Sequence, residues 1–238
     1  RKDPLKQIAA RIRRVGLIAN PEKPDVVRLL RRAQKMIVAA RRSVVLEANT
    51  ATMLGGKSRA ACSMPELAAA TDLILVFGGD GSMLKAAREI AGHSTPVLGI
   101  NAGHLGFLTA VSPNHLQAAL HRVCEGRFQI EERALLEGVV CRNHEQSTLL
   151  ALNDFVLSRG LTSRLIELEV RVNDELLTRY RCDGFIASSP TDIQPVLNAI
   201  SESALKLCGA NFSAVYNYDG KMLDMTALKN FTPQATEE

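Results

Sequence analysis

Up to about residue 125, short apolar runs alternate with stretches whose apolar positions return every three or four residues. Val15–Ala19 reads as a strand. Pro24 then opens a helix on which Val26, Leu30, Ala33, Ile37 and Ala40 form one stripe. Val44–Leu46 reads as a second strand. Ser63 and Glu66 have the spacing of a capping box before a helix through Leu67–Ala70. Leu73–Phe77 is unbroken apolar sequence, as a parallel strand covered on both faces requires. Met83, Leu84, Ala87, Ile90 and Ala91 stripe the next helix, which Gly92 can end. Val97–Ile100 is another strand. Ser112 as N-cap and Pro113 at the first helical position open a helix with Leu116, Leu120, Val123 and Cys124 inward. This alternation predicts an α/β domain with a mostly parallel sheet over residues 1–127.

From about residue 128 the period becomes two. Ile166–Val172 alternates apolar and polar for its whole length, the pattern of a half-buried antiparallel strand. Asn173-Asp174 is a turn signal, and Leu176–Tyr180 can return beside it. A truncated all-β, antiparallel domain over 128–192 is expected. In the last segment, 193–238, Val196, Leu197, Ile200, Ala204, Leu207 and Cys208 mark one amphipathic helix. Strand-like pieces Phe212–Tyr218 and Met222–Leu228 follow, joined by Asp219-Gly220, so this fragment reads as α+β.

At 238 residues and 46% hydrophobic, the chain can bury a full core. Its net charge of +4 conceals an asymmetry: residues 1–42 hold 13 Lys/Arg against 3 Asp/Glu, the remainder 16 against 22. A basic first segment favours a phosphate-rich partner, though solvated helix faces are the plainer reading. With aromatics at 4% and no Trp, a stacking surface for single-stranded nucleic acid is disfavoured, and no nucleic-acid partner is expected. The five cysteines, Cys62, Cys124, Cys141, Cys182 and Cys208, form no Cys-x-x-Cys pair, which suits a reducing compartment and excludes a Cys-rich zinc motif. No apolar run has the length of a membrane span, so no membrane partner is expected and the cytoplasm is the expected location.

Chemistry concentrates at Gly78-Gly79-Asp80-Gly81, where the apolar run meets the helix. Glycines there let backbone N–H groups approach an anion, and the helix N-terminus favours negative charge. Asp80 is out of place beside a phosphate unless it holds a metal ion or takes a proton from an attacking hydroxyl, both roles in phosphoryl transfer. Ser82 and Lys85 are expected in the first helical turn, Lys85 adding positive charge. The plainer alternative is that Asp-Gly makes only a tight turn. The run lacks the third glycine of a dinucleotide fingerprint, because Leu84 stands there. Gly55-Gly-Lys-Ser58 imitates the end of a P-loop but has Ala51 in place of the first glycine, and reads as a solvated loop.

Three further segments follow in order: Asn101-Ala-Gly-His-Leu-Gly-Phe-Leu-Thr109, Ala151-Leu-Asn-Asp154 and Tyr180-Arg-Cys-Asp-Gly184-Phe-Ile-Ala-Ser-Ser-Pro-Thr191. With the GGDG loop they resemble the NAD kinase family over roughly residues 13–191. The resemblance implies transfer of the ATP γ-phosphoryl group, with Mg²⁺, to the 2′-hydroxyl of the adenosine ribose of NAD⁺, giving NADP⁺. It implies a homo-oligomer with the active site between an α/β and a β-rich domain. Asp80 would accept the hydroxyl proton, with Gly78, Gly79, Gly81 and Lys85 beside the nucleotide. Asn153 and Asp154 match the pair that holds adenine and ribose, and Arg164, Arg181 and Asp183 fall at further nucleotide-contacting positions. No metal ligand is assigned on the protein.

The match stops at Thr191, where Asp-Ile-Gln-Pro replaces the family's Gly-Ser-Thr-Ala-Tyr run. Ala199–Gly220 instead resembles the opening of a GAF sensor domain. The β domain is therefore expected to be incomplete, with open strand edges. Two other functions stay open on the residues alone: an inactive nucleotide-binding or sensor module with a GAF-like tail, and a GGDG-type kinase for another hydroxyl, such as a lipid's.

Overall fold

The computed structural model describes residues 4–23, 25–55, 62–102, 106–143, 145–160, 164–188, 213–218 and 223–229. The chain divides into two units, residues 1–132 and 133–238.

In the first unit, β1 (Arg14–Ala19), β2 (Ser43–Leu46), β3 (Leu73–Gly78) and β4 (Val97–Asn101) form one all-parallel sheet in the order β2-β1-β3-β4. All six residues of β3 are buried, because helices cover both faces of a central parallel strand. Alternate side chains serve opposite faces. Val15, Leu17, Leu73, Leu75, Phe77 and Ile100 join one core with α2 (Val26–Ala39) and α6 (Leu116–Glu125). Ile18, Ile74 and Val76 join a second core with α4 (Met64–Ala70) and α5 (Asp80–Glu89). The result is a three-layer α/β/α arrangement, as the alternating pattern predicts.

The local signals resolve in detail. Ser63 and Glu66 make the reciprocal capping box at α4, with Ser63 N–H donating to Glu66 Oε2 at 2.8 Å. α2 buries Val26, Leu29, Leu30, Ala33 and Ile37, whereas Ala40 lies past its end and is exposed. Pro24, the expected first residue of that helix, lies outside the described residues.

Two expectations need correction. α6 is preceded by a 3₁₀ turn over Pro113–His115, and the Ser112 hydroxyl meets His115 Nδ1 at 2.9 Å instead of capping a backbone N–H. On α5 the buried residue is Ala86, with Ile90 just past the end, while Met83, Leu84, Ala87 and Ala91 are half-buried; the helix faces the sheet on a narrower stripe than its apolar content suggests. There is also a short helix the periodicity did not signal, α3 (Ala48–Met53), followed by a turn at Leu54 and Gly55, so a helix and not a strand precedes the P-loop-like stretch. The buried Glu47 carboxylate caps it, accepting the N–H groups of Asn49 and Thr50 at 2.9 Å. Residues 56–58 of that stretch lie outside the described residues. A further helix, α1 (Pro4–Arg11), precedes β1.

The second unit is antiparallel. β5 (Leu136–Arg142) pairs with β6 (Glu145–Ala151), and β7 (Asp154–Ser158) with β10 (Gly184–Ser188). β8 (Ile166–Val172) pairs with β9 (Glu175–Cys182) through Asn173 and Asp174, both at positive φ, as a tight hairpin turn requires. β8 alternates half-buried and exposed residues throughout, the pattern its sequence predicts. β11 (Ser213–Tyr218) and β12 (Leu223–Lys229) form a further antiparallel pair close to the expected strand positions. The helix expected around 196–208 lies outside the described residues. All four pairs are two-stranded sheets among the described residues, and of the described apolar residues in 133–188 only Ala151 is buried.

Candidate active site

The strand order reverses between β1 and β3, so their carboxyl ends flank a crevice of the kind in which open α/β sheets bind ligands. The Asn20 N–H, just past β1, donates to Phe77 O at 2.9 Å and ties the two strand ends together. β3 enters the crevice as Gly78, Gly79 is the N-cap of α5, and Asp80 is the first residue of that helix. A Cβ on Gly78 would stand 2.2 Å from Ser82 Oγ, so the tight strand-to-helix passage needs glycine here. At Gly79 and Gly81 an added Cβ would meet nothing within 4 Å; the space over the loop is open. The first-turn N–H groups of a helix lack intrahelical acceptors, and they can meet an anion there.

Asp80 is held from across the sheet. Its Oδ2 accepts the Phe107 N–H at 2.8 Å and its Oδ1 the Leu108 N–H at 3.0 Å. Gly106 makes this approach possible, since a Cβ there would lie 2.2 Å from Asp80 Oδ1. The segment carrying these donors is itself anchored at both ends. Asn101 is buried, with its Nδ2 donating to Thr109 Oγ1 at 3.2 Å and its N–H to Val111 O at 2.8 Å. The Ala102 N–H donates to Gly78 O at 3.0 Å. Phe107 projects beside this carboxylate with 76% of its surface exposed. Residues 103–105 of the segment lie outside the described residues.

Each Asp80 oxygen thus spends one lone pair on a backbone donor and keeps another. A half-exposed carboxylate fixed in this way can accept a proton from a hydroxyl placed over the loop. Lys85 stands in the second turn of α5, not the first as the sequence reading has it. Its ammonium lies 3.9 Å from Glu89 Oε1, one turn further on.

The remaining expected site residues belong to the second unit. Asn153 occupies the bend before β7 and Asp154 begins that strand, both half-buried. Burial pushes the Asp154 carboxyl above the usual aspartate range. Asp183, in the bend before β10, forms an ion pair with Arg159 at 2.7 Å, and the Arg159 N–H donates to Asp183 O at 3.0 Å. Arg181 lies opposite Glu167 across the β8·β9 hairpin, 3.5 Å away and well exposed, and Arg164 is exposed before β8. The β7·β10 register sets Asp154 opposite Ser188 and Ser158 opposite Gly184, with Asp183 one residue further, so Asp154 and Asp183 sit at opposite ends of one ladder, about 17 Å apart at the usual strand rise.

Arg159 and Gly106 carry contacts to site residues that no local pattern signalled. Gly106 was visible only as part of the Asn101–Thr109 segment, and Arg159 only as a charge after a strand.

Residues 15–128 match the family described as the ATP-NAD kinase N-terminal domain. The chain is 43% identical over 178 residues to the NAD kinase of Teredinibacter turnerae, covering 74% of this chain and 61% of the relative. It is 39% identical over 180 residues to the NAD kinase of Moorella thermoacetica, covering 76% of this chain and 57% of that one. The chain thus spans about three fifths of the length of such relatives. A crystal structure of yeast NADH kinase complexed with NADH has the same fold, with a TM-score of 0.71 at 22% identity over 81% of this chain and 61% of the other. None of these matches supports the GAF-like assignment of the last segment. The parallel sheet, the GGDG passage and these likenesses together make residues 15–128 similar to the ATP-NAD kinase N-terminal domain.

Proposed function

We propose that this chain acts as an NAD kinase, moving the γ-phosphoryl group of ATP to the 2′-hydroxyl of the adenosine ribose of NAD⁺. The observation that carries this reading is the Asp80 carboxylate, fixed by two backbone N–H groups at the carboxyl edge of the sheet. In the reaction the 2′-O–H bond breaks and its proton passes to an Asp80 oxygen. The 2′-oxygen bonds to the γ-phosphorus, the bond from that phosphorus to the β-phosphate bridging oxygen breaks, and ADP leaves with that electron pair. A secondary hydroxyl is a poor nucleophile near neutral pH, and a positioned general base contributes about 10²–10⁴-fold.

The open N-terminus of α5 at Gly79–Gly81 suits the phosphates, and Gly78 keeps the approach to it close. Lys85 adds positive charge on the same helix. Asn153 and Asp154 recognise adenine and ribose on this reading, with Arg164, Arg181 and Asp183 as further nucleotide contacts. Among the described residues no group of three or more His, Cys, Asp or Glu side chains stands ready for a metal ion. On this reading Mg²⁺ arrives on the triphosphate, held by phosphate oxygens and water, and Asp80 is kept for the proton. Bound there, the ion would neutralise charge on the transferring group.

Residues 1–127 supply the GGDG loop, 128–192 a part of the β-rich domain, and 193–238 a GAF-like fragment, a reading that rests on sequence resemblance alone. A homo-oligomer in the cytoplasm completes the proposal. Because the chain spans about three fifths of its relatives' length, the second reading is nucleotide binding without turnover. NADP⁺ formation from NAD⁺, ATP and Mg²⁺ separates them. Turnover that falls about 10²–10⁴-fold in Asp80→Asn supports the kinase with Asp80 as base. Binding of either nucleotide with no NADP⁺ formed supports the second reading.

A further inference from the structure

Beyond that reading, the basic first segment contributes to a second concave surface, between α2 and α6. α2 turns Val26, Leu29, Leu30, Ala33 and Ile37 inward, which leaves Arg28, Arg32 and Lys35 exposed along one stripe at steps of four and three. On the neighbouring helix, Gln117 and His121 are spaced four apart, with Asn114 one turn earlier and Arg122 alongside. Arg127, just past the end of α6, closes the far end. Arg32, Asn114, Gln117, His121, Arg122 and Arg127 line a groove of about 480 Å³.

The electrostatics of this groove are one-sided. Three guanidinium groups and an imidazole meet one carboxylate, Glu125, which pairs with His121 Nδ1 at 3.2 Å and with Arg127. Arg32 and Arg122 have no acidic partner among the described residues. Like charges gathered on a concave surface repel one another and focus a positive potential, which an anion relieves. Guanidinium forks match phosphate oxygens in geometry and charge, and the Asn114 and Gln117 amides add neutral donors. The volume falls within the usual range for small-molecule sites, enough for two or three linked phosphates.

We propose that the α2–α6 groove binds a compound carrying a short phosphate chain, at a site separate from Asp80 and the GGDG loop. Arg32 and Arg122 supply the charge, from two different helices, and Arg127 and His121 turn toward the ligand as its phosphates compete with Glu125 for them.

The test is calorimetric titration of the full chain with inorganic tripolyphosphate. Arg32→Ala/Arg122→Ala is expected to bind about tenfold more weakly, and raising the salt concentration weakens the wild-type interaction. Both side chains are exposed, and a thermal melt checks that the variant stays folded; Arg122→Gln, which keeps the side chain's length and polarity, gives a smaller loss in the same direction. A binding event lost in the Arg32/Arg122 variant belongs to the groove, and one that persists in it belongs to the GGDG loop, which separates the two sites. Unchanged affinity in the double variant, or no binding to the wild type, overturns the proposal. A parallel titration with ATP identifies the source of the phosphates. An extra affinity over tripolyphosphate that disappears in the double variant assigns a nucleotide, and equal affinities assign a free phosphate chain.

Discussion

Asp80 and Gly106 are 26 positions apart yet form one unit, because a carboxylate that takes two backbone N–H bonds needs those N–H groups brought within hydrogen-bond distance. Gly106→Ala is expected to force Asp80 and the Phe107–Leu108 backbone apart and to cost about 1–3 kcal/mol, as overpacking does. Denaturant unfolding measures the cost, and amide chemical shifts of Phe107 and Leu108 report the displacement; unchanged shifts would mean that Asp80 is not held as described. Asp154 makes a different prediction. Its carboxyl is pushed up by burial, so over the window from the ordinary aspartate value to its raised one the folded state keeps a proton that the unfolded chain releases. Stability therefore falls as pH rises through that window. Asp154→Asn removes the penalty, so its melting temperature should exceed the wild type's at neutral pH and match it at pH well below the ordinary aspartate range. An equal gain at both pH values would refute burial as the cause. Such effects could not be read from residue types, because they depend on what surrounds each carboxylate.

At the scale of elements, local periodicity proved informative wherever the determining residues lie within one helical turn or one strand step. The Ser63–Glu66 box spans three residues and forms as its spacing predicts. Ser63→Ala should destabilise the first unit by about 1 kcal/mol, read as a lower denaturation midpoint at unchanged slope. Asn173-Asp174 likewise makes the turn its composition predicts, and β8 keeps its alternation. Failures occurred where a distant group intervenes. α3 has no strong apolar period and is instead stabilised by the buried Glu47, whose Oε2 also accepts the Thr50 hydroxyl at 2.9 Å; Thr50 Oγ1 in turn accepts the Ala19 N–H at 2.9 Å. That chain of bonds ties α3 to the end of β1, and only the first of its links is local. Ser112 shows the converse: the residue suits an N-cap, but nearby His115 takes its hydroxyl, and the helix starts one 3₁₀ turn later.

At the scale of the molecule, the described residues of the two units differ in how far they bury apolar surface. Both core clusters draw only on residues up to Val123. In the second unit Val139, Val156, Leu157 and Leu176 remain exposed on two-stranded sheets, and isolated two-stranded sheets are marginal in water. A fragment of residues 1–132 is therefore expected to unfold cooperatively on heating, whereas residues 133–238 alone should show no sharp transition. Circular dichroism melts of the two fragments decide this, and a cooperative transition in the second would contradict the burial argument.

The sequence alone determined the order and type of most elements, the GGDG passage from strand to helix, and the change from helical to strand period near residue 128. These follow from backbone propensity and side-chain periodicity, which act within a few positions along the chain. Tertiary structure alone decided that Phe107 and Leu108 hold Asp80, that Asp183 pairs with Arg159, and that Asp154 lies at the other end of the same ladder. It also decided that Arg32 and Arg122 share a groove. Each of these joins groups far apart in sequence or sets their separation through strand pairing, and only the packed chain brings such groups within range of a hydrogen bond or a charge.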